Sequence, residues 1–239
     1  MKSTVLYILH NPTWTDDRFA DVARSQGYTV EFICPPQGDA LPDINSFAAL
    51  IVGGSDDGHA DRPEELSWVA EEMAYIRNAV DDGVPMLGLC MGAQMLAATY
   101  GGKVLGRPDG FTEWGFYPVT ATEEGKELFA GTTYFHLAHF EGIVALPANA
   151  TLLARGEHFP VQAFRIGDNA YGLQFHPDKK LSRLTKPLLD NNHYRHFMGV
   201  QSTDEQIRLG ELYEDSIQMW TERFVDQWIG KAESAVVAA

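Results

Sequence analysis

Short apolar runs alternate with helical stripes along the first hundred residues. Thr4–His10 is a β-rich apolar run that reads as a buried strand. Asp16–Gln26 opens on polar residues and stops at Gly27, which predicts a helix. Tyr28–Ile33 and Ala48–Val52 read as two more strands, the second running into Gly53-Gly54. The clearest helix follows. Asp61 is a candidate N-cap, Pro63 sits in the first turn, and Glu64 and Glu65 suit the positive end of the helix dipole. Leu66, Val69, Met73, Ile76 and Val80 then recur at spacings of three and four, until Gly83 ends the stripe. Val84–Leu89 is a short strand that passes directly into Cys90, and Met91–Tyr100 is an apolar, alanine-rich stretch that reads as a buried helix closed by Gly101-Gly102.

Strands and helices in alternation imply a mostly parallel sheet with helices on both faces. The pattern then changes. Trp114–Thr120, Thr133–Leu137, Thr151–Ala154, Val161–Ile166 and Tyr171–Phe175 look like strands separated by Gly, Pro and Asn turns, an additional β-rich segment. The tail, about 200–230, is helical again, with Tyr213, Ile217, Trp220, Phe224 and Trp228 at helical spacing, a stripe expected to dock on the sheet. With no repeat and no linker, residues 1–239 are expected to form a single α/β domain.

Composition removes several function classes. The formal net charge of −15 repels phosphate backbones, so nucleic acid is not an expected partner. No segment approaches the ~20 apolar residues that span a bilayer, and the N-terminal run has no cleavage site, so no membrane association is expected. Two cysteines, Cys34 and Cys90, are too few for a disulfide scaffold and are expected as free thiols in a reducing cytoplasm.

Gly88-Leu89-Cys90-Met91-Gly92 sets a cysteine between glycines at a strand-to-helix junction. A nucleophile there sits on a sharp, strained turn that lifts it clear of the sheet edge, and the glycines allow the strain and the close packing. The helix start behind Cys90 favours the thiolate, and the N–H of Met91 is placed to bind a developing oxyanion. The alternative is a buried structural cysteine, which is how Cys34, before Pro35-Pro36, is read.

Such a thiol needs an imidazole partner and a group that fixes its tautomer. Of eight histidines, His176 ends an apolar strand, where parallel-sheet sites lie, and Asp178 follows two residues later on the same side of an extended segment. A plain strand-ending turn would also explain His-Pro-Asp. His136 with His139, and His193 with His196, have metal-compatible spacing but no completing ligands, so neither a metal nor a cofactor is expected. Gly53-Gly54-Ser55 follows another strand at the same edge, where a glycine-turn N–H can serve as second oxyanion donor.

Gly88-Leu89-Cys90-Met91-Gly92-Ala93-Gln94 resembles the G-x-C-x-G-x-Q elbow of class I glutamine amidotransferases of the GMP-synthase-like, stand-alone kind. Gly172-Leu173-Gln174-Phe175-His176-Pro177-Asp178 resembles their G-x-Q-F-H-P-E segment. Gly53-Gly54-Ser55 resembles their Gly-Gly-Pro turn, and His139 falls at a Ser-His-Gly-Asp-like segment near the substrate. The resemblance implies a Rossmann-like (flavodoxin-like) fold and hydrolysis of a small-molecule γ-glutamyl amide, glutamine or a relative, through a thioester on Cys90. It casts His176 as base and Asp178 as its orienting acid, Gly54 and Met91 as oxyanion donors, and Gly53, Gln94 and His139 as substrate-binding. Asp178 stands for Glu, Ser55 for Pro, and Phe140-Glu141 for Gly-Asp. The tail after Asp178 is short for a synthetase domain, so any ammonia acceptor is expected on a separate chain. Otherwise the expected activity is that of a γ-glutamyl peptidase or amidase.

Two rivals stand beside this. An α/β-hydrolase order would use Cys90, Asp168 and His193, and a degenerate binding subunit would use none of them. Specificity is expected from loops around Asp56–Arg62, Gly106–Gly115 and Pro187–Val200.

Overall fold

The computed structural model of the chain describes residues 3–185, 189 and 193–237, with side chains through residue 229. Its central element is an eight-stranded sheet. The parallel part comprises β1 (Thr4–Ile8), β2 (Thr29–Ile33), β3 (Ala49–Val52), β4 (Met86–Leu89) and β12 (Ala170–Leu173). The antiparallel extension comprises β11 (Ala163–Ile166), β10 (Ala150–Arg155) and β7 (Thr120–Ala121), and the order across the sheet is β2-β1-β3-β4-β12-β11-β10-β7. This is the α/β fold expected from the alternating pattern. The additional β-rich segment divides: its last three strands join the main sheet as β10, β11 and β12, and two ribbons stand apart from that sheet. One pairs β6 (Glu113–Pro118) with β8 (Tyr134–His139), and the other pairs β5 (Lys103–Gly106) with β9 (Glu141–Ala145). Neither strand of the second ribbon shows in the hydrophobic pattern.

Strand alternation divides the core between the two faces of the sheet. Val5, Tyr7, Ile51, Leu87 and Leu89 face helices α1 (Arg18–Ser25) and α4 (Thr203–Val237). Leu6, Ile8, Leu50, Val52 and Met86 face α2 (Ser67–Asp81) and α3 (Met91–Thr99). The aromatic stripe of α4 docks as its spacing requires: Trp220, Phe224 and Trp228 are buried, and Phe224 meets Phe19 edge-on at 5.9 Å. Removing either ring would leave a cavity costing about 3–5 kcal/mol.

The start of α2 differs from expectation. Asp61 and Pro63 lie in a turn and the helix begins at Ser67, after Leu66, with no side-chain cap. Asp61 is committed elsewhere, to the Arg62 guanidinium, which also reaches Glu65 and Glu141. In α1, by contrast, Asp17 caps through the Ala20 N–H at 3.0 Å. Among the described residues, no helix is long and apolar enough to cross a membrane. Residues 186–188 and 190–192 of the expected Pro187–Val200 specificity loop lie outside the described set.

Candidate functional site

Cys90 joins β4 to α3 with φ 51° and ψ −106°, and no other non-glycine residue described has a positive φ. The neighbouring sequence makes that conformation possible. A Cβ on Gly88 would lie 2.5 Å from the Gly92 backbone, and one on Gly92 would lie 2.1 Å from the Val52 carbonyl oxygen. Helix and strand therefore approach closer than any side chain permits. The Cys90 N–H donates to Leu173 O at 2.8 Å and the Gln94 N–H donates to Cys90 O at 3.0 Å, so the turn is held on both sides. The thiol lies 3.8 Å from the Ala138 carbonyl oxygen and 3.8 Å from Gln174 Nε2.

His176 lies three residues past the end of β12, beside Cys90. Its Nδ1 contacts Asp178 Oδ1 at 3.1 Å, so the shorter acid reaches the ring without a lengthened bond. Burial works against a charged imidazole here. The Asp178 carboxylate and the Cys90 sulfur outweigh it, and His176 is held at about 9. Burial likewise opposes ionisation of Asp178, but the His176 charge and hydrogen bond prevail and lower its pKa. A second carboxylate, Asp17, is pushed up to about 7 by burial and then by the charge of Asp178, although it accepts a 2.6 Å bond from the Tyr7 hydroxyl.

Arg18, buried at the head of α1, fixes the segment that carries these groups. It donates to the carbonyls of Pro177 (2.9 Å) and Lys179 (3.0 Å) and reaches Gln218 and Glu214 on α4. Nothing in the sequence pattern marks an arginine at a polar helix start as a brace.

Gly54 completes the cluster. A Cβ there would stand 3.1 Å from His176 Cε1 and 3.5 Å from the Cys90 Cβ, so this position, the thiol and the imidazole border one small space. The Gly53 carbonyl accepts from the Gly92 N–H at 3.2 Å, which fixes the Gly53–Gly54 peptide. Among the described residues, neither the Gly54 nor the Met91 N–H has an acceptor. The Gly54 carbonyl is held by His10, whose Nδ1 lies 2.8 Å from it and must donate, since a carbonyl only accepts. His10 Nε2 is in turn 2.9 Å from buried Glu72. Sequence reasoning missed this pair, yet the signal existed. Like His176, His10 lies just beyond the C-terminal end of a sheet strand.

On the far side of Cys90, a cavity of about 170 Å³ is bordered by Met91, Gln94, His139, Phe140, Glu141 and Tyr194, among others. Gln94 Nε2 donates to the Glu141 carbonyl oxygen at 2.7 Å and to Gln174 Oε1 at 3.3 Å. His139 borders this space with its ring buried against Phe159. Its Nε2 lies 3.0 Å from Glu113 but out of hydrogen-bonding alignment. Of the other histidines, His136 stays beside the site, its ring 6.5 Å from that of His176 and edge-on against Phe116, with burial pressing its pKa well down, whereas His193 and His196 are exposed. His59, Asp61 and Glu141 bring ligand atoms within 4.8 Å of one another, but Arg62 already counters both carboxylates. The alternative order fails on placement. Asp168 lies in the exposed β11–β12 turn, at the opposite end of the sheet from Cys90.

Comparison with known proteins places the sequence and its fold. YfeJ of Salmonella typhimurium, a glutamine amidotransferase-like protein, is 28% identical over 185 residues, 72% of this chain and 74% of its own length. The glutamine-hydrolysing GMP synthase of Streptomyces avermitilis is 30% identical over 208 residues, 82% of this chain. The chain spans 36% of the length of that synthase. A glutamine amidotransferase structure from Thermotoga maritima superposes with a TM-score of 0.83 at 22% identity, covering 96% of this chain and 99% of that one, a likeness of fold. The model of the class-I glutamine amidotransferase family matches residues 22–195, well over half of the sequence, and the chain belongs to that family.

Proposed function

We propose that the protein hydrolyses a γ-glutamyl amide through a thioester on Cys90, with His176 exchanging protons and Asp178 orienting it. The observation that carries this is the strained backbone of Cys90 at a strand–helix junction, with His176 and the Gly54 turn against it. A structural cysteine needs no such conformation, whose cost is on the order of 1–3 kcal/mol.

The thiol proton passes to His176 Nε2, and sulfur attacks the γ-carbonyl carbon. The oxygen becomes an oxyanion between the N–H groups of Gly54 and Met91. His176 returns the proton to the leaving nitrogen, the C–N bond breaks, and the thioester forms. Water, deprotonated by His176, then releases glutamate. Gln94, with Gly53 and His139 at the borders, shapes the space for the glutamyl chain. The matched GMP synthases are glutamine-hydrolysing by name, which supports glutamine as one substrate and a synthetase as one destination for the ammonia.

Labelling with diazo-oxo-norleucine, a glutamine-mimicking electrophile, tests this by intact mass. One adduct on Cys90 is expected, absent in Cys90→Ser and strongly slowed in His176→Ala. No adduct, while a generic thiol reagent still modifies Cys90, would overturn it.

A further inference from the structure

Cys90 borders a second and larger cavity. It encloses about 340 Å³ and opens on the His176 side, whereas the 170 Å³ cavity opens on the Gln94 side. The proposed chemistry gives the two spaces different occupants. With the carbonyl carbon on sulfur and the glutamyl chain toward Gln94, the leaving nitrogen must face His176, which protonates it. Whatever is attached to that nitrogen then extends into the larger cavity. Ammonia, comparable to a water molecule at ~30 Å³, needs a tenth of that room.

The walls state what the room suits. Leu9, Trp14, Leu184 and Leu189 give it an apolar side. Its carboxylates are mostly engaged: Asp16 with Lys180 at 2.5 Å, Asp17 with Tyr7, and Asp178 with His176. Its cations are not. Lys179 and Arg183 both line the cavity, and neither side chain makes a hydrogen bond or ion pair among the described residues. The one unengaged carboxylate, Asp56, is exposed at the border common to both cavities. In a chain with a net charge of −15, two uncommitted cations beside the scissile bond are a specific feature. Burial also presses the Lys179 pKa down against the pull of Asp178, Cys90 and Asp56, a cost that an incoming carboxylate would offset.

Resting on the assignment of Cys90 and His176 above, we infer that the preferred substrate is a γ-glutamyl amino acid or peptide. The leaving amino acid's side chain lies against the apolar wall and its carboxylate on Lys179 and Arg183. The step balances as a hydrolysis: the γ-glutamyl C–N bond breaks, the amine leaves with the proton from His176, and water supplies the oxygen of the new glutamate carboxylate.

The test compares γ-glutamyl-leucine, γ-glutamyl-isopentylamide (the same substrate without the terminal carboxylate) and glutamine, by kcat/KM, in wild type, Lys179→Met and Arg183→Gln. Diazo-oxo-norleucine labelling of Cys90 runs in parallel. A charge-assisted contact predicts at least about a tenfold preference for γ-glutamyl-leucine over the isopentylamide and over glutamine in wild type. In either variant the preference over the isopentylamide should shrink to within about threefold. A wild-type preference already below about threefold overturns the inference, even if both variants prove too unstable to assay. So does a preference that survives in both variants. If Cys90 takes the label in either case, the γ-glutamyl site stands and only the leaving-group assignment falls. No label and no turnover of any substrate would remove both.

Discussion

Replacing Asp178 by Asn removes one negative charge while leaving an acceptor near His176 Nδ1. His176 sits at about 9 against an ordinary 6.5, a preference for the imidazolium of about 3 kcal/mol. Burial and the Lys179 charge both act against that preference, so the Asp178 carboxylate and, after it, the Cys90 sulfur together supply more than the net value. Without the carboxylate, the larger of the two, His176 should return to about the ordinary 6.5. At pH 8 the imidazolium then falls from about nine-tenths of the population to about 3%, roughly thirtyfold. Since the imidazolium protonates the leaving amine, kcat/KM should drop by at least that factor, and further as the ring loses its fixed tautomer. The alkaline limb of the kcat/KM profile should move from near 9 to below neutrality. Titration of the His176 Cε1–H signal by NMR reads the same change directly. A ring still titrating near 9 in Asp178→Asn, or a loss smaller than about threefold, would refute the electrostatic role given to Asp178.

Three further outcomes follow from named contacts. Gly54→Ala places a methyl 3.1 Å from His176 Cε1 and 3.5 Å from the Cys90 Cβ, so Cys90 labelling should fall by about two orders of magnitude while the melting temperature changes by only a few degrees; unchanged labelling would contradict the shared space. Cys90→Gly should be more stable to denaturant than Cys90→Ala by ~1 kcal/mol, because both lose the sulfur and only glycine accepts φ 51° freely, and equal midpoints would mean the turn is unstrained. Asp17, pushed up to about 7 from an unfolded value near 4, binds its proton more tightly when folded. Its contribution is complete below about pH 4 and lost as pH rises to about 7, a change of up to roughly 4 kcal/mol, so Asp17→Asn should flatten the decline in stability between pH 4.5 and 7.5, and an unaltered slope would count against the buried acid.

Much of this molecule could be read from periodicity because burial there is nearly complete. The strand cores of β1, β3, β4 and β12, the elbow and the docking stripe of α4 all follow from spacing alone. What could not be read shares a different physical character. The start of α2 differs because Asp61, a good cap by residue type, is held by Arg62, which also reaches Glu65 and Glu141, the latter 79 residues away. The ribbon β5–β9 carries no clean alternation because three of the four β5 residues are exposed and β9 buries two adjacent residues, Gly142 and Ile143. Arg18 and the His10–Glu72 pair act through contacts separated by 159 and 62 residues, and no local pattern encodes a partner at that distance.

The placement of the candidate nucleophile relative to its base, in contrast, reduces to one register. Leu89 on β4 pairs with Leu173 on β12, and parallel strands lie about 4.8 Å apart. Cys90 is one residue beyond that pair and His176 is three residues beyond it, so both leave the sheet at the same edge. A slip of one residue would turn the alternating side chains of β12 to the opposite face and bury the wrong set. Gly88 and Gly172, themselves a register pair, oppose such a slip sterically. A Cβ at Gly172 would lie 2.2 Å from the Phe164 ring, and one at Gly88 would strike the start of α3. The glycines that make the elbow possible thus also fix the strand pairing that sets sulfur beside imidazole, which is why a motif of seven residues could point to a site completed 86 residues later.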